Sequence, residues 1–281
     1  TAKTPTLSVK RVSSERFWGG SSLIANNILS MGGHVTLVAV TGDDWGYEFF
    51  SRKKHERFQG KFFKDVTRPT TVKERFWVDG YKLLQVDTVE NHEIPPALED
   101  EIFGLLEATA QQYDLLMVAD NRHGIMTSRM INRVKKLSRE KNVPLVVDTQ
   151  VSSRWGNLDA YADVDLICVN EYESRYFLRD ENLPLDEVRR RLITMLSPQR
   201  LLIKLQDKGV MGWDATLGDF QLPAFSVQAV DPIGSGDSFL SAAALSFDRH
   251  TKLLVSIFLA NCARAIAVTK MGTVPITSDE M

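Results

Sequence analysis

From residue 114 onward, short apolar runs alternate with longer amphipathic stretches, and this alternation constrains the fold more than any other feature of the chain. The runs at 114–120, 143–148, 165–170 and 200–204 have continuous apolar cores, which is typical of a parallel sheet covered on both faces. Apolar residues recur near helical spacing between them, at 127–141 and 185–196. Helix 22–31 followed by strand 35–41 fits the same scheme. The pattern predicts a doubly wound, mainly parallel α/β sheet with helices on both faces.

One region departs from this pattern. An Asp-Gly pair at 79–80 separates two strand-like runs, 70–78 and 81–86, which predicts an antiparallel hairpin. The alternating run 6–12 is a candidate for a further strand beside it. We therefore expect a small antiparallel β layer, 5–12 and 63–87, attached to a body formed by 13–62 and 88–281. The layer is expected to act as a lid over a site, or to form a homodimer with a second copy.

Charge and composition exclude several classes of partner. The chain has 34 Lys and Arg residues against 36 Asp and Glu residues, so its charge of −2 gives no reason to expect nucleic-acid or membrane binding. No apolar run approaches the roughly 18 residues that span a bilayer, and no secretory signal is recognisable. Cys168 and Cys262 lie in apolar segments, which favours buried thiols in a reducing compartment. We expect a cytoplasmic protein.

Polar residues end the four predicted strands: Asp120, Asp148, Asn170 and Lys204. A single aspartate at a strand end is more often a turn former or a helix cap. Four polar strand ends carry more weight, because ligands of open parallel sheets bind beyond the carboxyl ends of the strands. The sequence therefore predicts a ligand site at this edge.

The most informative segment is 229–245, in which Gly234, Ser235 and Gly236 precede Asp237 and an alanine-rich helix. Glycines allow close approach to a ligand, and the free N–H groups of a helix's first turn form an anion site. Asp237 is either a helix cap or a base beside a bound phosphate. Phe239 stands where a dinucleotide fingerprint needs its third glycine. The chain also has no P-loop, nucleophile-elbow, HExxH or CxxC motif.

Four motifs resemble, in the correct order, those of the ribokinase-like (PfkB) carbohydrate kinases. They are the glycine pair of 19–27, the Gly-Asp-Asp turn of 41–46, the Asn-x-x-Glu of 170–173 and the Asp-x-x-Gly-x-Gly-Asp of 231–237. The match runs from about residue 5 to the end of the chain. Within the family, 70–87 and 261–275 resemble the bacterial D-glycero-D-manno-heptose 7-phosphate kinases of ADP-heptose synthesis.

The resemblance implies ATP-dependent transfer of the γ-phosphoryl group to a hydroxyl. Asp237 would be the catalytic base, and the amides of Gly234, Ser235 and Gly236 would stabilise charge on the transferred group. Such a reaction needs mainly positioning and charge stabilisation.

The resemblance also implies ATP and Mg²⁺ as cofactors, with a monovalent cation such as K⁺ as a further candidate. Asn170 and Glu173 would organise the Mg²⁺, and Asp231 occupies the position where the family often holds the monovalent cation. The nucleotide would be bordered by Lys204, Gln206, Gly209, Asn261 and Gly272.

The acceptor implied is a sugar or sugar phosphate, with a heptose-phosphate-like molecule favoured. Lys73 and Arg75 share one face of a predicted strand and would either clamp a substrate phosphate or lie on a solvated lid face. The other implied substrate residues are Gly19, Gly20, Asn27 and Asp120. Leu23 stands where the family commonly has an asparagine. Ribokinase-, fructokinase- or nucleoside-kinase-like specificity, or a catalytically silent sugar- or nucleotide-binding protein, are therefore the alternatives.

Overall fold

The structure is a computed structural model that describes residues 8–150, 157–225, 229–250 and 253–281. Its strands are β1 (Val35–Thr41), β2 (Phe58–Lys64), β3 (Val72–Val78), β4 (Tyr81–Thr88), β5 (Leu116–Asp120), β6 (Leu145–Thr149), β7 (Leu166–Asn170), β8 (Arg200–Lys204), β9 (Val210–Asp214) and β10 (Gly218–Leu222). Its α-helices are α1 (Ser21–Ser30), α2 (Trp45–Ser51), α3 (Pro96–Thr109), α4 (Ser128–Lys141), α5 (Glu171–Leu178), α6 (Leu185–Leu196), α7 (Ser235–Leu245) and α8 (Leu253–Ala267).

Six strands form the central sheet in the order β10-β9-β8-β7-β6-β5. Strands β5 to β8 pair in parallel, whereas β9 and β10 are antiparallel to their neighbours. The four strands predicted from continuous apolar runs are β5 to β8, and the predicted helices 127–141 and 185–196 are α4 and α6. The predicted mainly parallel α/β fold is confirmed.

Helices cover both faces of this sheet, and alternate side chains of each strand enter two separate cores. In β6, Val147 joins the core formed with α3, α4 and α6, whereas its neighbour Val146 joins the core formed with α1, α7 and α8. Cys168 of β7 lies in the second core and is fully buried. This double burial explains the continuous apolar runs. None of the described helices is long and apolar enough to cross a membrane.

Two smaller sheets lie outside the central one. Strands β1 and β2 pair in parallel, and β3 and β4 form the predicted hairpin. Asp79 and Gly80 both have positive φ angles, 49° and 77°, as a two-residue type I′ turn requires.

Two details of the predicted β layer differ from the structure. Residues 8–12 are not in a strand, and residues 5–7 lie outside the described part of the chain. Alternation indicates a strand when its apolar residues form one buried face. Val9 and Val12 are 55% and 91% exposed, so the alternating residues here form no such face. The predicted layer boundary between residues 62 and 63 also falls inside β2, which pairs with β1 along its whole length.

Candidate active site

The polar strand ends predicted to lie together meet at one edge of the central sheet. Asp120 of β5 is in register with Thr149 of β6, and Asn170 of β7 is in register with Lys204 of β8. Asp148, one residue before the end of β6, is in register with Cys168 of β7. Parallel pairing of adjacent strands therefore builds a polar edge from residues that are far apart in the sequence.

A buried ion pair lies at the centre of this edge. Lys204 Nζ is 2.8 Å from Asp148 Oδ1, and the two side chains are 12% and 6% exposed. Burial alone would lower the pKa of Lys204, but Asp148, together with Cys168 and Glu173, raises it above its ordinary value. The ammonium group is therefore charged at neutral pH. The strand pattern places Asp148 at a strand end but does not indicate this role in the site.

Asn170 and Glu173 form a capping box at the start of α5. The Asn170 N–H donates to Glu173 Oε2 at 2.7 Å, and the Glu173 N–H donates to Asn170 Oδ1 at 2.8 Å. Burial raises the pKa of Glu173, and the Lys204 ammonium opposes this shift. No cluster of three His, Cys, Asp or Glu side chains suited to a metal occurs in the described ranges. The side-chain oxygens of Asn170 and Glu173 fit a Mg²⁺ that is held mainly by phosphates and water, because Mg²⁺ takes few protein carboxylates.

The N-terminus of α7 offers an anion-binding turn. Gly234 is the N-cap with a φ of 78°, and the Ser235 N–H donates to the Pro232 carbonyl. Within the described residues, the N–H groups of Gly236 and Asp237 have no protein acceptor. Unpaired N–H groups at a helix N-terminus attract anions, and the helix dipole adds to this attraction.

Leu23 packs against this turn. A Cβ added to Gly234 would lie 2.8 Å from Leu23 Cδ2, and Leu23 is 1% exposed. The side chain is therefore part of the packing under the turn.

Asp237 lies in the first turn of α7 without acting as its cap. Its carboxylate accepts no hydrogen bond from any described residue, and the N-cap position belongs to Gly234. Burial, followed by the negative charge of Asp148, raises the pKa of Asp237 to about 7, against the opposing effect of Lys204. A carboxylate with this pKa and no hydrogen bond is suited to accept a proton near neutral pH.

Asp231 joins two loops beside the same turn. One carboxylate oxygen accepts the Ile233 N–H and the other accepts the Gly272 N–H, each at 3.0 Å. Asp231 is 2% exposed, and Gly272 has a φ of 75°. The two hydrogen bonds of Asp231 hold the segment after α8 against the loop before α7.

The other predicted nucleotide-border residues lie on the β8–β9 turn and on α8. Gln206 is exposed and Gly209 is buried, with positive φ angles of 53° and 96°. A Cβ on Gly209 would lie 2.1 Å from the Leu222 carbonyl oxygen, so this position accepts only glycine. Asn261 is 1% exposed and donates to the Pro223 carbonyl at 3.4 Å, whereas its Oδ1 has no hydrogen-bond partner among the described residues.

Of the predicted acceptor-binding residues, Gly19 borders open space and Gly20 lies close to the loop after β5. No atom lies within 4 Å of a Cβ added to Gly19, and one added to Gly20 would be 3.1 Å from Asn121 Nδ2. The loop after β5 therefore lies against the start of α1, which places Asn121 at the site, although no sequence motif indicates a role for it.

Asn27 and Asp120 are instead held by the protein. Asn27 is fully buried between Ser238 Oγ and the Ile276 N–H. Asp120 is 4% exposed and accepts hydrogen bonds from the Tyr161 hydroxyl and the Arg122 N–H, both at 2.8 Å. In this arrangement the two side chains brace the elements around the site.

Lys73 and Arg75 project from the same face of the hairpin. Lys73 Nζ is 3.0 Å from Asp87 Oδ2, and Arg75 Nε donates to Gln85 Oε1 at 3.1 Å. Burial and then the charge of Lys73 lower the pKa of His123, whose loop follows β5. Asp87, the ion-pair partner of Lys73, acts on the pKa of His123 in the opposite direction.

Comparison with known proteins agrees with this geometry. The model of the pfkB family carbohydrate kinases matches residues 8–280. The bifunctional protein HldE of Campylobacter jejuni subsp. doylei is 26% identical over 99% of this chain and 59% of its own length. The bifunctional protein HldE of Hyphomonas neptunium is 29% identical over 94% of this chain and 54% of its own length. The chain thus spans a little over half the length of these relatives.

Solved structures share the fold. Ribokinase of Thermotoga maritima has a TM-score of 0.77 at 19% identity and covers 100% of this chain, with 91% of its own chain matched. Phosphofructokinase-2 of Escherichia coli, in complex with potassium, has a TM-score of 0.74 at 17% identity over 93% of this chain and 85% of its own. With the family model matching nearly the whole chain, this protein belongs to the pfkB family of carbohydrate kinases.

Proposed function

We propose that this protein transfers the γ-phosphoryl group of ATP to a hydroxyl of a phosphorylated sugar, with a heptose-phosphate-like acceptor favoured. The observation that carries the proposal is the first turn of α7. There, a carboxylate without a hydrogen bond, Asp237, stands beside the unpaired N–H group of Gly236. Base and anion site are thus adjacent residues on one rigid helix.

The geometry supports a simple sequence of events. Asp237 accepts the proton of the acceptor hydroxyl as the new oxygen–phosphorus bond forms. The bond between the γ-phosphorus and the bridging oxygen breaks, and ADP leaves with the electron pair. The first-turn amides of α7 donate hydrogen bonds to the phosphoryl oxygens, and the helix dipole adds attraction in a site with limited water.

The cofactor assignments belong to the same proposal. When bound, Mg²⁺ neutralises charge on the ATP phosphates, and Asn170 and Glu173 would hold it through its water ligands. Asp231 would lie beside a monovalent cation. The potassium complex of E. coli phosphofructokinase-2 supports testing K⁺ first.

The acceptor assignment draws on the hairpin and on the relatives. Lys73 and Arg75 share one face of the hairpin, so an acceptor phosphate there would meet two cations. Asp87 and Gln85 now bind these cations, and a substrate phosphate would compete with them. The resemblance of 70–87 and 261–275 to heptose 7-phosphate kinases favours a heptose phosphate over ribose, fructose or a nucleoside.

The experiment is a panel of sugars and sugar phosphates assayed for stimulated ADP release from Mg-ATP. The panel contains heptose 7-phosphate, fructose 6-phosphate, ribose, fructose and adenosine. Wild type, Asp237→Asn and the exposed control Asp279→Asn are run side by side. We expect stimulation by one phosphorylated sugar, loss of stimulation in Asp237→Asn and retention in Asp279→Asn. Binding of nucleotide without stimulation by any acceptor would favour the catalytically silent alternative.

We further propose that the hairpin mediates a homodimer. Tyr81 and Leu84 are 70% and 53% exposed, and an isolated two-stranded hairpin is only marginally stable in water. A second hairpin would bury this apolar surface. Sedimentation equilibrium of wild type should give a dimer and that of Leu84→Glu a monomer, with the exposed Val66→Glu as the control. A monomeric wild type would contradict the proposal.

A further inference from the structure

Lys204 has more hydrogen-bonding capacity than the protein uses. An ammonium group has three N–H donors, and one of them bonds to Asp148 at 2.8 Å. Among the described residues, no second acceptor lies within hydrogen-bonding distance of Nζ. The side chain is only 12% exposed, so water has limited access to the remaining donors.

The first turn of α7 lies directly beside these donors. A Cβ added to Gly236 would be 3.9 Å from Lys204 Nζ, with no other described atom within 4 Å apart from the neighbouring residues and the backbone of α7 itself. The backbone N–H group of Gly236 has no acceptor among the described residues. The ammonium and the unpaired amides therefore border the same small space.

Stability does not explain a lysine at this position. Taking two charges out of water costs about as much as their attraction returns, so a buried ion pair is weak evidence for a stabilising role. A cation beside unpaired amides is, however, the arrangement that binds a phosphate group. Asp148 neutralises Lys204 in the free protein and fixes its position.

We propose that Lys204 binds the phosphoryl group being transferred, with Asp148 as its positioning residue. This rests on the proposed function and deepens it. Lys204 then contacts the γ-phosphate of ATP rather than bordering the base or the phosphates that remain in ADP. The site would thus carry its own fixed cation, supplied by the end of β8, in addition to any bound metal.

The test is the preference for a γ-phosphate, measured by calorimetry with ADP and with the non-hydrolysable β,γ-imido analogue of ATP. Hydrogen bonds to charged groups are worth enough to change affinity about tenfold or more. The measured ratio is the dissociation constant of ADP divided by that of the analogue. In Lys204→Met we expect this ratio to fall about tenfold or more, with the affinity for ADP nearly unchanged. Lys136→Met, at an exposed position on α4, should retain the wild-type ratio.

A second variant distinguishes loss of phosphate binding from misfolding. Lys204→Met leaves the Asp148 carboxylate buried without its partner, whereas Lys204→Met combined with Asp148→Asn removes both charges. We expect the double variant to fold and to show the same reduced ratio. A folded double variant with the wild-type ratio would overturn the inference while leaving the proposed function intact. Wild type that binds neither nucleotide would overturn both.

Discussion

Burial and the charge of Asp148 raise the pKa of Asp237 from 3.8 to about 7, and this shift has a consequence for stability. The folded protein retains the proton up to about pH 7, whereas the unfolded chain releases it near pH 3.8. Asp237 therefore destabilises the fold progressively as the pH rises through this interval. At 1.36 kcal/mol per pKa unit, the cost is about 1.6 kcal/mol at pH 5 and about 4 kcal/mol above pH 7.

Replacing Asp237 with Asn removes this cost together with the base. Urea unfolding at pH 8 should show Asp237→Asn to be more stable than wild type by up to about 4 kcal/mol, although the variant lacks acceptor-stimulated turnover. At pH 5 the advantage should shrink to about 1.6 kcal/mol. The exposed control Asp279→Asn should show no such trend. An advantage equal at both pH values would show that the raised pKa of Asp237 is not its cause, because it would not come from ionisation of Asp237.

Three further substitutions test the buried polar contacts and the turn geometry described above, each by urea unfolding. Arg68→Met leaves Asp65 buried without its ion-pair partner at 2.6 Å, so we expect a loss of about 3–5 kcal/mol; a loss under about 1 kcal/mol would contradict this. Tyr161→Phe removes a hydrogen bond to the Asp120 carboxylate and should cost about 1.5–3 kcal/mol, and an unchanged midpoint would mean that the bond is not formed. Gly209→Ala combines a positive φ with a backbone clash and should cost about 1–3 kcal/mol or prevent folding, whereas a neutral effect would argue against this turn geometry.

The amino-acid sequence is sufficient to predict the four parallel strands of the central sheet and the edge that carries the candidate site. Parallel strands buried on both faces must be continuously apolar, so β5 to β8 are recognisable from their apolar runs alone. Since the carboxyl ends of such strands meet at one edge, the strand pattern alone places Asn170 and Lys204 at the same edge of the sheet. The Asp-Gly turn of the hairpin is equally clear, because few residues tolerate two successive positive φ angles.

The sequence is less informative about pairing and burial. Nothing local indicates that Lys204 pairs with Asp148, because the two residues are 56 positions apart and meet only across strands. The resemblance implies that Asn27 is a substrate residue, and its burial between α7 and the chain segment at Ile276 is a further feature that the motif does not indicate. Such outcomes depend on how the elements pack, which short motifs do not encode.

We propose that phosphoryl transfer to an acceptor hydroxyl proceeds with Asp237 as base. The protein is incubated with ATP that carries ¹⁸O in its γ-phosphate, Mg²⁺ and the acceptor found in the panel, and the label is followed through its isotope shift in ³¹P NMR. We predict that wild type moves the label onto the sugar with one ADP formed per sugar phosphorylated, and that Asp237→Asn moves almost none. Label appearing only as inorganic phosphate, or equal transfer by Asp237→Asn, would contradict the account.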